Sequence, residues 1–106
     1  MNIKVYDIIG SSHAISQEKG KKLLPYLENA VKNKEYLEVD FVDIDSTIST
    51  FFNTCYAVLF KSNSLEDIDK YIKFKNVKRI TEQQIDTVKN NAINYYRVKS
   101  NANDNK

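Results

Sequence analysis

Between Leu37 and Phe60 the sequence LEVDFVDIDSTISTFFNTCYAVLF changes its period midway. Leu37, Val39 and Phe41 alternate with Glu38, Asp40 and Val42, which predicts a strand over about 36–42 with one dry and one wetter face. From Ser49 onward Phe51, Phe52, Cys55, Val58 and Leu59 recur at helical spacing, which predicts a core helix. A strand ending in acidic residues, then a Ser/Thr-rich turn, then an apolar helix confines the chain to the α/β classes. The same order sets the hydroxyls of Ser49 and Thr50 at a helix start, where unpaired N–H groups and the macrodipole favour a phosphate.

Patterns on either side extend this frame. Ile3 and Val5 alternate with Lys4 and Tyr6, which predicts a first strand over Ile3–Ile9, ended by Gly10-Ser11-Ser12. Ser16 is placed to cap the next helix, whose buried stripe is Leu23, Leu24, Leu27, Ala30 and Val31. Pro25 inside that stripe lacks an amide donor, so a kink or short break is expected there, and Gly20 is expected to let the helix approach the sheet. Ser64 caps a short helix with Asp67 at the capping-box position and Leu65, Ile68 and Ile72 turned inward, and Lys73–Val77 reads as a Lys-rich edge strand. Thr81 and Gln84 form a T-x-x-Q capping box, stapled by Ile80 and Ile85, at the head of a last helix striped by Ile85, Val88, Ala92 and Tyr95. The expected architecture is α/β, a small mixed β-sheet with helices packed mainly on one face, in the order β-α-β-α-α-β-α. One domain over 1–99 is followed by a polar tail, 100–106, expected to fray.

Composition narrows the function. The 106 residues suffice to bury roughly two thirds of the unfolded surface without disulfides or metal. One cysteine, Cys55, fits a reducing cytoplasm and reads as a core filler, and with only His13 beside it no zinc centre is expected. No apolar run reaches the length of a membrane span, and MNIKVYD lacks a signal peptide's order of charge then apolar residues. A formal charge of +2 gives no nucleic-acid footprint by itself. The one concentrated basic patch, Lys73, Lys75, Lys78 and Arg79, has only Tyr71 and Phe74 for base stacking, so a solvated edge is the better reading. Tyr95, Tyr96 and Arg97 together suggest a sticky patch, suited to a partner or a homodimer. No cofactor is expected, because Gly10-Ser11-Ser12 lacks the remaining glycines and the lysine of a phosphate loop.

Four pieces in order, IKVYDIIG, the S-x-E-x-G of Ser16, Glu18 and Gly20, Asp40-Phe41, and Ser49-Thr50-Phe51-Phe52-Asn53, resemble the STAS-like domain family of bacterial proteins. The resemblance runs from Ile3 to about Phe60 and more loosely to Tyr96. It implies a fold related to anti-sigma factor antagonists, which act by docking on partner proteins and usually catalyse nothing. In that group a partner kinase phosphorylates a hydroxyl in an Asp-Ser-Ser/Thr-Gly segment, and the phosphate releases the antagonist. Ser49 and Thr50 fall on the two hydroxyl positions, with Ile48 where the group has Asp and Phe51 where it has Gly.

The resemblance therefore implies partner switching, with a GHKL-type ATPase or serine kinase as partner and Ser49 or Thr50 as phosphoacceptor. The docking surface expected is Ser11, Ser12 and His13 on one loop, with Asp43, Asp45 and Asn53 beside it. Other readings stay open. Ser49 and Thr50 could simply cap their helix. The chain could be a constitutive inhibitor or assembly module without phosphorylation, including one with a mobile-element or phage-defence role. His13 with Ser11, Ser12 or Ser49 and an aspartate would make a Ser-His-Asp hydrolase, although no nucleophile elbow or oxyanion loop is present. A divalent cation on Asp43 and Asp45 alone has too few ligands.

Overall fold

The computed structural model describes residues 1–104, of which 97–104 are described by their helical backbone alone. The chain runs β1 (Asn2–Lys4), α1 (Val5–Ile9), β2 (His13–Ala14), α2 (Gln17–Asn33), β3 (Leu37–Asp40), β4 (Ser46–Thr47) and α3 (Ser49–Cys55). A 3-10 turn (Ala57–Lys61), α4 (Leu65–Tyr71), β5 (Ile72–Lys75) and α5 (Arg79–Asp104) complete it. The expected polar tail from Ser100 falls on residues whose side chains lie outside the described set, and 105–106 lie outside it altogether. Among the described residues no helix is long and apolar enough to cross a membrane.

Three strands form one sheet in the order β1-β3-β5, and β2 with β4 forms a second. Every pairing is parallel, so the sheets are not mixed as the sequence suggested. In the larger sheet Leu37 and Val39 align with Ile72 and Phe74 of β5, and Val39 with Ile3 of β1. That face takes the helices. The opposite face carries Asn2, Lys4, Glu38, Asp40, Lys73 and Lys75 in register. There Glu38 pairs with Lys75 at 2.5 Å and accepts from the Tyr36 hydroxyl at 3.1 Å. The Lys75 ammonium, more than the phenol, holds the Glu38 carboxyl below its usual range.

One expected element differs and two strands are added. Val5–Ile9 is a helix rather than the continuation of a strand, because Val5, Ile8 and Ile9 stand at helical spacing and Val5 and Ile9 are buried. Gly10, at φ 68°, closes it in the left-handed conformation, its N–H bonded to the Tyr6 carbonyl at 2.8 Å. The short strands β2 and β4 were not expected, since two residues show no periodicity. The observed order therefore has more elements than β-α-β-α-α-β-α.

Of the kink or short break expected at Pro25, the break does not form, since α2 runs continuously through that residue. Pro25 and Lys21 both lie on the exposed side, so water can satisfy the Lys21 carbonyl that loses its intrahelical donor. Ser16 caps this helix through Lys19 N–H at 3.1 Å, and Ser64 caps α4 through Asp67 N–H at 3.1 Å, as expected.

The core is centred on α3. Phe51 and Phe52 are wholly buried, and Phe52 joins Phe41 and Phe74 at ring distances of 5.8 and 6.4 Å. Cys55 is buried as expected, and burial pushes its thiol well above the ordinary range. Gly20 of α2 lies against α3 rather than against the sheet. A Cβ there would stand 2.8 Å from both the Phe51 carbonyl oxygen and the Thr54 Cβ. Gly20→Ala gains about 1 kcal/mol of helix propensity but meets backbone, and overpacking of that kind costs about 1–3 kcal/mol. The variant is expected to lower the urea midpoint with the slope unchanged, and a midpoint at or above the wild-type value would contradict the close approach.

Candidate functional site

The second sheet brings two loops together. β2 and β4 pair His13 with Ser46 and Ala14 with Thr47. The Ser12 carbonyl accepts the amides of Asp45 at 2.7 Å and Ser46 at 3.4 Å, and the Ala14 carbonyl accepts that of Ile48 at 3.3 Å. Ser11 Oγ accepts the His13 amide at 3.1 Å, which folds the loop back on itself. The expected meeting of the Ser11-Ser12-His13 loop with Asp45 is therefore made, but through backbone.

Strand alternation sorts the four paired residues. His13 and Ser46 point outward, and His13 Nδ1 shares a hydrogen bond of 2.7 Å with Ser46 Oγ. Ala14 and Thr47 point inward and are buried. Two ammonium groups flank the outer face, each donating to a carbonyl at 3.1 Å: Lys19 to His13 and Lys78 to Asp45.

Beneath the face lies a buried polar node. Thr47 Oγ1 gives its one proton to Gln84 Oε1 at 2.6 Å, so the 2.9 Å contact with Thr81 Oγ1 has Thr81 as donor. Gln84 Nε2 returns a bond to the Thr47 carbonyl at 3.0 Å. Thr81 and Gln84 are thus a latch between α5 and β4, not the capping box that their spacing suggests. Ile80 is 63% exposed, so the expected staple does not form either. Both corrections have one cause: α5 begins at Arg79, which puts Thr81 inside the helix, where its hydroxyl faces β4.

Past Thr47 the chain enters α3 with Ile48 at the N-cap position and no side-chain cap. Ser49 and Thr50 are therefore helical residues, and the capping reading fails for both. They are exposed, as is Asn53 one turn below Ser49 on the same side. Asp43 occupies the turn before β4 at φ 65°. Asp40 is already committed, accepting from Asn76 Nδ2 at 2.8 Å and the Val42 amide at 2.9 Å. The bond from Asn76 in particular holds its carboxyl below the usual range.

His13 and Ser46 supply two members of a hydrolytic triad, but no hydrogen-bonded carboxylate orients the ring among the described residues. Among those residues no three His, Cys, Asp or Glu gather as a metal site. The basic patch is partly spent, since Lys75 pairs with Glu38 and Lys78 with a carbonyl. Of the patch expected at the end of α5, Tyr95 is exposed and Tyr96 half-buried, their rings 4.9 Å apart. The Arg97 side chain lies outside the described residues.

A family model described as the STAS-like domain of unknown function (DUF4325) matches residues 19–81. The chain belongs to this STAS-like family. No curated protein and no solved structure gives a significant match. The STAS-like match spans α2 from its first turn to the head of α5, and so includes Gly20, Thr47, Ser49 and Thr81. It leaves out β1, α1 and β2, which carry IKVYDIIG and the Ser11–His13 loop.

Ser46, Thr47 and Lys19 carry no signal of their own in the sequence, and Lys78 enters there only as part of the basic patch. A Ser-Thr pair ahead of an apolar helix reads as a turn, and only the β2 pairing shows which hydroxyl faces inward. Replacing Thr47 by Val keeps its shape and the Gln84 amide's bond to the backbone carbonyl, but leaves the buried Thr81 hydroxyl and the half-buried Gln84 Oε1 unmatched, at a cost of about 1–3 kcal/mol. Adding Thr81→Val should return part of that loss in urea unfolding, and strictly additive losses would show that the three residues do not act as one node.

Proposed function

We propose that this STAS-like domain is a non-catalytic regulatory module that docks a partner protein on the face made by β2, β4 and the first turn of α3. The observation that carries the reading is the position of Ser49 and Thr50. Both hydroxyls are exposed, neither caps the helix, and the next two residues are wholly buried phenylalanines that fix the turn on which they stand. Hydroxyls free of structural duty on a rigid surface turn are accessible to a kinase.

The rest of the face suits docking. Ile48 is 42% exposed and gives an apolar centre, while His13, Ser46 and Asn53 offer exchangeable polar contacts and Asp43 and Asp45 an acidic border. The partner that the family relationship favours is a GHKL-type ATPase or serine kinase, whose γ-phosphoryl group passes from ATP to the hydroxyl as ADP leaves. A phosphate carries close to two negative charges and would stand beside Ile48, so a partner surface packed on that side chain would be repelled and desolvated. Docking is thereby lost on modification.

A constitutive module without phosphorylation is the second reading. It is favoured by Ile48 and Phe51, which stand where the phosphorylated group has Asp and Gly; Phe51 serves the core instead.

Affinity capture of the tagged chain from its host, with phosphosite mapping, separates the two. Switching predicts an ATPase or kinase among the captured proteins, phosphate on Ser49 or Thr50, and binding by Ser49→Glu weakened about tenfold or more, equivalent to about 1.4 kcal/mol. A stable partner retained equally by Ser49→Glu and by the Ser49→Ala/Thr50→Ala variant would leave docking in place and remove the switch.

A further inference from the structure

Away from the β2–β4 face, a groove of about 500 Å³ runs between β5, α4 and α5. Ile72, Lys73 and Phe74, consecutive in β5, all line it. Successive side chains of a strand point to opposite faces, so a groove that touches three in a row lies along the strand's edge. Among the described residues β5 has a strand neighbour, β3, on one side only. Its outer edge therefore offers backbone hydrogen bonds to whatever lies in the groove.

The floor of the groove is Tyr56. The residue is only 3% exposed, its ring packed edge-on to Phe60 and Phe74 at 5.4 and 5.1 Å. Its hydroxyl makes no hydrogen bond among the described residues, yet none of their sealed side-chain polar atoms lacks a partner. The oxygen is thus not sealed, and it opens on the groove that Tyr56 lines. Burial foremost, then the carboxylates of Asp69 and Asp86, keep the phenol protonated well beyond its ordinary range. A buried phenol aimed into a cleft without a partner is an unfilled polar position.

The charges round it are unbalanced. Asp69 is neutralised by Lys89 at 2.7 Å. Glu82 and Asp86, one turn apart on α5, also line the groove and have no ion-pair partner among the described residues. Lys73 stands at the strand's outer edge as the remaining cation. Apolar walls, a phenol oxygen and two unpaired carboxylates match an aliphatic stem ending in a positive group. A guanidinium suits this better than an ammonium, because its fork of donors can meet carboxylate and phenol together while its plane lies on Phe74.

We propose that the open edge of β5 receives an extended segment of a partner polypeptide, which places an arginine side chain over the Tyr56 hydroxyl between Glu82 and Asp86. Strand pairing supplies the backbone bonds and the groove selects the side chain. This site is separate from the β2–β4 face and stands whether or not Ser49 is ever modified.

The test uses the full chain, isotopically labelled, titrated with a short blocked peptide of alternating valine and threonine around a central arginine. The same peptide with norleucine in place of arginine is the control. The expected result is saturable amide shifts over Ile72–Lys75 and on the Tyr56 ring, with the arginine peptide bound about tenfold more tightly than its control. Glu82→Gln with Asp86→Asn, both on exposed positions, should abolish that preference while the free spectrum stays native. Equal affinity for the two peptides, no shifts with either, shifts confined to the β1 edge, or an undiminished preference in the double variant would each overturn the proposal.

Discussion

Two adjacent phenylalanines in a seven-residue helix set the terms for the rest of the molecule. Side by side on α3, Phe51 and Phe52 cover an arc wider than one neighbour can bury. Phe52 goes to the sheet, among Phe41 and Phe74. Phe51 meets it nearly edge-on at 5.2 Å, and the Phe51 carbonyl faces Gly20 of α2. The missing side chain at Gly20 is what allows α2 close enough to close the core over that helix. With both rings inside, the outward arc of α3 is left to Ser49, Thr50 and Asn53, and the candidate docking face is the reverse side of a packing solution.

Holding that face in place falls to Thr47. A two-residue strand pair is too short to be stable by its own ladder. Here β4 is tied down by a hydroxyl that donates to Gln84 and accepts from Thr81, with the Gln84 amide returning to the backbone. Because Thr47 and Thr81 are buried and Gln84 half-buried, water competes little for these bonds, and β2 inherits the rigidity through its parallel pairing. α5 consequently serves two surfaces with its first turns. Thr81 and Gln84 support the β2–β4 face, whereas Glu82 and Asp86 line the groove at β5.

How far the sequence discloses this depends on the length of each signal. The β3 alternation and the α3 stripe span several residues each, and the structure places Leu37, Val39, Phe41, Phe51, Phe52, Cys55 and Leu59 inside as their spacing requires. Val58 of the same stripe is left at the surface where the 3-10 turn departs from α-helical spacing. The first strand is shorter than its pattern suggests because Ile3 and Val5 alternate, while the helical set Val5, Ile8, Ile9 with Gly10 behind it overlaps them by one residue. Thr81 and Gln84 are the sharper case. Local spacing favours a capping box, and the tertiary contact with Thr47, 34 residues distant, won. Of the candidate site, the meeting of the His13 loop with the segment after β3 followed from parallel strand logic. The inward or outward sense of Ser46 and Thr47 did not, because it is set by the register of a pairing with no sequence signature.

The family relationship and the geometry support the proposed docking role from different directions. One points to regulatory interaction, and the other supplies a rigid polar face with a small apolar centre. Hydrogen exchange on the chain alone and in complex with its captured partner tests this most directly. Docking on the β2–β4 face predicts slowed exchange at His13–Ala14 and through Ser46–Asn53, with the open face of β1 and β3 unchanged. Slowed exchange centred on Asn2–Lys4 and Glu38, with the β2–β4 segment unaffected, would place the partner on the other side of the sheet and contradict it.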